Sequence, residues 1–386
     1  MPKLDIDTEY LARMLKLLLK IPSPTGYTDM IVREVCEELK NIGVPFELTR
    51  RGAIRATLKG KGHKGARSII SHLDTIGAQV KRLKENGRLE VVPVGCWSAR
   101  FAEGARVTVF SEAGTYRGTI LPLKASGHTY HDEIDIAPIG WEHVEVRIDA
   151  LARTEQEVAA LGIEIGDMVA IDPQPEFIEN GYIVSRHLDN KAGVALMLAA
   201  LRAMCEAKVE LELDAHWMFT IAEEVGIGAA SVLNSDIASM VAVDNGTSAP
   251  GQNSSEFGVT IAMSDQSGPF DYHLTKKMVR LCKENDIRYQ KDIFRHYRSD
   301  SASALEAGHD VRTALITFGV DASHGYERIH MHALKSVAEL VTAYLTSPVQ
   351  IVRDAKETSG LAGFTTQPMI EADAEVDLPE ETADET

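Results

Sequence analysis

The chain has 386 residues and a mass of 42.2 kDa, enough for one large or two ordinary domains. Its net charge is −17, and eight of its acids fall in the last eighteen residues, so the body carries about −9 and offers no basic face for a nucleic-acid backbone. No apolar run is long enough to span a bilayer, the N-terminus lacks the apolar core of a secretion signal, and four scattered cysteines form no Cys-x-x-Cys pair; the expectation is a cytoplasmic globular protein without nucleic-acid or membrane partners.

In chain order, "TEYLARMLKLLLKI" and "DMIVREVCEELKNIG" read as two amphipathic helices, the second closing on a glycine suited to a C-cap. "ARSIISHLD" reads as a buried strand. From Gln79 to about Ile165 short β-rich runs alternate with glycine-containing turns, the texture of a small all-β unit. Helix–strand alternation resumes at "DNKAGVALMLAALRAMCEA" and continues through the strands "LDAHWMFTIAEEVG", "SMVAVDNG", "GVTIAMSD" and "VRTALITFGV" to the helix "HALKSVAELVTAYL". The fold expected is α/β: a mixed, largely parallel sheet flanked by helices, with an inserted all-β domain. Residues 1–77 and 167–350 would form the catalytic domain, 78–166 the insert and 351–386 an acidic, disordered tail.

Sites in open α/β sheets form at the carboxyl ends of strands. The polar groups that follow apolar strand-like runs are His72, Asp74, Asp189, Glu223, Glu224, Asp244 and His330. All are metal-ligand types or carboxylates able to move protons. Singly each has an ordinary explanation: a satisfied histidine, a helix N-cap, a solvated acidic pair. Glu223 and Glu224, however, directly follow the apolar run Trp217–Ala222, and adjacent carboxylates at the end of a buried strand repel unless cations hold them.

In order, "IPSPTGY", "SHLDTIG", "LDNKAG", "AEEVGIGAA", "VDNG", "YRSDSASALEAG" and "RIHMHAL" resemble the motifs of the tetrahedral (glutamyl and "cellulase M"-type) di-metal aminopeptidases. The resemblance implies His72 and Asp244 on one metal, Glu224 and His330 on the other, and Asp189 bridging both. His324 and His332 are rivals for the final histidine. It further implies Asp74 orienting the His72 ring and Glu223 as general base and acid, with a metal-bridging hydroxide cleaving N-terminal residues from short peptides. The metals implied are zinc or cobalt, and the assembly a homo-oligomer, a dodecamer built from dimers through the β-rich insert. Thr75 and Met331 depart from the family pattern near the expected substrate position. They leave open a specialised hydrolase of a small acylated or amidated dipeptide. An inactive binding scaffold is the alternative of another class. His187, in the second His-Leu-Asp, is expected to be incidental.

Overall fold

The computed structural model describes residues 4–62, 65–355 and 360–368. The helix Thr8–Leu19 starts where Asp7 accepts from the N–H groups of Glu9 and Tyr10 at 3.0 and 2.9 Å, satisfying two otherwise orphaned donors. Its apolar stripe of Leu11, Met14, Leu15 and Leu18 is buried and packs along a central helix, Leu188–Glu206. The central helix is apolar nearly all round, because it lies between that neighbour, the sheet and the closing helix Met331–Thr346. Truncating one of its fully buried leucines, such as Leu196, would cost about 2–5 kcal/mol.

The sheet is mixed. Four strands run parallel at its centre in the order Asp214–Thr220, Ala66–His72, Ile237–Ser248 and Arg312–Asp321. Antiparallel strands flank them: Ile54–Leu58 on one side, Glu327–His330 and Tyr182–Ser185 on the other. Val259–Asp265 branches off Arg312–Asp321 and pairs in parallel with Tyr289–Ile293. The central strands are buried along nearly their whole length, and their middles are apolar, as expected of parallel strands covered on both faces. The register sets Thr220 opposite His72 and Asp244 opposite Thr317, so the polar residues ending these strands share one edge.

Six strands between Gly77 and Ile171 close into a separate barrel. Its interior is filled by alternating β-branched residues, among them Val80, Val91, Val107, Val146 and Val169, in a cluster distinct from the main core. The stretch 123–143 leaves the barrel as an excursion that exposes Leu123, Ile136 and Ile139.

Residues 351–355, assigned to the tail on sequence, lie against the body. They carry the short turn Val352–Asp354, and Asp354 Oδ1 accepts from Arg312 Nε at 3.2 Å. Just before them, buried Arg67 donates to the carbonyls of Tyr344 and Ser347 at 2.8 and 2.7 Å. The expectation for residues 369–386 lies outside the described residues.

Candidate metal centre

His72, Asp244 and the Glu223–Glu224 pair arrive from the ends of adjacent parallel strands; Asp189 arrives from the start of the central helix. The Asp189–Asn190 peptide is cis. Asp189 presents one oxygen to each of two histidines: Oδ1 lies 3.1 Å from His72 Nε2, and Oδ2 lies 3.2 Å from His324 Nε2. Around His72 Nε2 stand Glu223 Oε2 at 3.7 Å and Asp244 Oδ1 at 3.9 Å. Around His324 Nε2 stands Glu224 Oε2 at 3.4 Å. His72 with Asp189 and Glu224, and His72 with Glu223 and Asp244, each place three ligand atoms within 4.8 Å of one another.

His330 does not join them. It ends the strand Glu327–His330 opposite Tyr182, and its ring packs among Tyr182, Phe257 and His332 at 4.4 to 4.9 Å. Both ring nitrogens are engaged: Nε2 donates to the Asn180 carbonyl at 2.9 Å, and Nδ1 accepts from the His332 N–H at 3.1 Å. The residue meeting Asp189 and Glu224 is His324, one of the rivals to His330, and His330, expected there, stands outside the cluster. The sequence missed the short strand Glu327–His330, which turns His330 away from the pocket. His324 lies three residues beyond the end of the strand Arg312–Asp321, so a stricter use of the strand-end rule would have put it first.

Asp74 also works differently from the expectation. His72 Nδ1 donates to the Asp74 backbone carbonyl at 2.9 Å, while the Asp74 carboxylate lies 3.7 Å from that nitrogen. The carboxylate accepts instead from the N–H groups of Glu223 and Glu224 at 3.2 and 3.3 Å, and from Thr25 Oγ1 at 2.6 Å. Asp74 therefore fixes the backbone that carries the two glutamates. With its carbonyl it also fixes the His72 tautomer that leaves Nε2 facing the cluster.

Sequence reading passed over three supports. Buried Glu327 accepts from the N–H groups of Asp189 and His324 at 3.1 and 2.9 Å, tying the two together. Asn245 Nδ2 donates to Asp189 Oδ2 at 2.6 Å. The barrel contributes the Cys96 carbonyl, which accepts from His324 Nδ1 at 2.9 Å and directs Nε2 toward Asp189. Gly95 beside it has φ +85°, and a Cβ there would sit 2.9 Å from Ile76 Cγ2 and 3.5 Å from Glu224, so only glycine lets this loop come so close. Nothing in a lone "GCW" signals a carbonyl contact to a residue 228 positions away.

The electrostatics are those of a site built for cations. Burial pushes the Glu224 carboxyl up to about 8, with the Asp189 charge adding to it, and pushes Asp244 up to about 8 in the same way. Burial also drives Glu223 well above the usual carboxylate range. Burial opposes the charge on His324, yet Glu224 and Asp189 lift it to about 11. Asp189 itself is held low by hydrogen bonds from His324 and His72 despite its burial. Uncompensated carboxylates in such surroundings cost several kcal/mol each, which divalent cations would relieve. Two imidazoles, His72 and His324, the Asp189 carboxylate between them, and the Glu224 and Asp244 oxygens are a donor set that fits a pair of such ions.

Residues that resembled site features elsewhere stay out. His187 donates from Nε2 to the Ile171 carbonyl at 2.9 Å, and burial lowers it to about 3. Lys191 Nζ turns away to the Ile21 carbonyl, and burial brings it to about 7.

A sequence model of the family described as M42 glutamyl aminopeptidase matches residues 52–340. The chain is also 36% identical over 337 residues to a Bacillus subtilis (strain 168) protein named "Putative aminopeptidase YhfE", covering 87% of this chain and 97% of that one. The chain belongs to the M42 peptidase family. It is a peptide hydrolase of the aminopeptidase kind. The glutamyl aminopeptidase of Lactococcus lactis is 26% identical over 223 residues, 56% of this chain and 61% of that protein. Among solved structures, the Pyrococcus horikoshii TET1 peptidase superposes with a TM-score of 0.78 at 22% identity, covering 88% of this chain and 100% of that one. The Desulfurococcus kamchatkensis aminopeptidase APDkam598 gives 0.78 at 23% identity, over 88% and 95%. These likenesses carry the fold, barrel included. M42 peptidases are metal-dependent, in keeping with a histidine–carboxylate cluster at the strand ends.

Proposed function

We propose that this M42 peptidase is a co-catalytic di-metal aminopeptidase that removes N-terminal residues from short peptides. The carrying observation is Asp189, whose two oxygens divide between His72 and His324. His72 and Asp244 would hold one cation, Glu224 and His324 the other, and Asp189 both; zinc suits the mixed nitrogen and oxygen donors, with cobalt the alternative. Bound there, the cations supply an acidified water and polarise the scissile carbonyl. Glu223 lines the same cavity of about 670 Å³ and takes the water's proton, then delivers it to the leaving amine. Asp74 keeps Glu223 in place through its backbone N–H, and Glu327 holds Asp189 and His324 in register.

The protein would act as a homo-oligomer. The Pyrococcus horikoshii TET1 peptidase assembles into a tetrahedron or a large octahedral shell, and exposed Leu123, Ile136 and Ile139 give the barrel of this chain an apolar surface for such contacts. A dodecamer built from dimers would admit peptides and exclude folded proteins. Four unpaired cysteines suit a reducing cytoplasm.

The test is metal-reconstituted turnover over a panel of free and N-blocked short peptides. Cleavage of free peptides alone supports the reading. Turnover confined to acylated or amidated dipeptides would move the chain to that specialised chemistry, and no turnover with metals bound would leave a binding scaffold.

A further inference from the structure

Tyr297 lines the cavity and has no part in the mechanism above. It lies between the strand Tyr289–Ile293 and the helix Asp300–Glu306 and lines the cavity with Glu223, Asp244 and Asp189. Its position is fixed twice: its carbonyl accepts from the Gln266 N–H at 3.0 Å, and its ring packs on Phe294 with centroids 5.3 Å apart. Its hydroxyl is shielded from solvent and faces the Asp244 carboxylate, but among the described residues it makes no hydrogen bond of good geometry, with Asp244 or any other group. Buried hydroxyls nearly always find a good partner, and one held only loosely against a carboxylate that faces the proposed cations can turn to a group that arrives with the substrate. The neighbouring cation, Arg298, is turned outward to Glu306 Oε2 at 2.6 Å.

We propose that the Tyr297 hydroxyl is a catalytic hydrogen-bond donor to the oxyanion formed at the scissile carbonyl. This rests on the aminopeptidase reading above. Water oxygen bonds to the carbonyl carbon, its proton passes to Glu223, and the C=O electron pair moves onto oxygen. The phenol, neutral at pH 7, donates a hydrogen bond to that oxygen without giving up its proton. On collapse the electron pair re-forms C=O, the C–N bond breaks, and Glu223 returns the proton to the leaving nitrogen. The planar ground-state carbonyl carries less charge, so the contact strengthens along the reaction and acts on kcat more than on KM.

The experiment compares zinc-loaded wild type with Tyr297→Phe in four measurements: kcat and KM on a free peptide, metal content, affinity for a phosphinic pseudo-dipeptide that mimics the tetrahedral state, and affinity for the free amino-acid product. The expected result is a kcat lower by about 10²-fold with KM within about twofold, a matching loss of phosphinate affinity, and unchanged product affinity and metal content. Removing a hydroxyl that makes no hydrogen bond of good geometry should leave the melting temperature nearly unchanged, and Tyr297→His, which keeps a donor, should recover part of kcat. Unchanged kcat and phosphinate affinity in Tyr297→Phe would overturn the proposal. So would loss of metal together with both affinities, which would make Tyr297 a positioning residue for Asp244. A wild type that binds zinc but cleaves no peptide would instead sink the aminopeptidase reading, and this proposal with it.

Discussion

His324 Nε2 lies 3.2 Å from Asp189 Oδ2, on the opposite side of that carboxylate from His72. This contact completes the second half of the cluster, with Glu224 at 3.4 Å from the same nitrogen. Exchanging His324 for alanine should therefore remove one metal per chain and abolish turnover. His330→Ala should keep both metals and lose stability instead, by about 1–3 kcal/mol, because its ring is packed and bonded elsewhere. Elemental analysis of the two purified variants checks this, and equal metal loss from both would reverse the assignment.

In the proposed mechanism Glu223 would carry the proton rather than hold a cation. Glu223→Gln preserves shape and should keep both metals and the melting temperature, while lowering kcat by about 10²–10⁴-fold. A near-normal rate in this variant would show that another group moves the proton.

Glu327 touches no proposed cation, yet it accepts from the N–H groups of Asp189 and His324. Glu327→Gln should weaken metal affinity by about 10–100-fold, since the ligands lose their common anchor while the side-chain volume is kept. Competition with a chelator measures it; unaltered affinity would make Glu327 a bystander.

Metal-free protein should lose stability as pH rises. Glu224 and Asp244 have folded values near 8, above the ordinary carboxylate range, so the folded state retains protons there that the unfolded chain has already released. The penalty grows from the unfolded carboxylate value up to about 8. His324, raised to about 11, acts in the same direction: its stabilising charge is full below the ordinary imidazole value and drains away above it. The melting temperature of chelator-treated protein should fall between about pH 5 and pH 8, and zinc should remove most of that slope. A rise over this range would contradict the charge balance described here.

Much of this cluster was readable from the residues because its members follow apolar strands. His72, Asp244 and the Glu223–Glu224 pair follow buried runs, and parallel register then brings them to one edge. Asp189 was legible from its motif. His330 misled because its motif position outweighed a short strand whose pairing with Tyr182 depends on tertiary structure. Asp74 was expected to orient the His72 ring, but its carboxylate serves two backbone N–H groups and not the imidazole, a distinction no residue spacing encodes. The Cys96 carbonyl and the Glu327 bridge were illegible for a related reason: one is a backbone group and the other belongs to no recognised motif. The barrel showed itself through alternating β-branched runs, whereas its approach to His324 depends on how the two cores meet.

The shared carboxylate is best tested by counting metal in wild type and in Asp189→Ala by elemental analysis after zinc reconstitution. Two ions per chain in the wild type, and at most one in the variant, is the expected result. One ion or none in the wild type, or two in Asp189→Ala, would contradict the paired-cation centre.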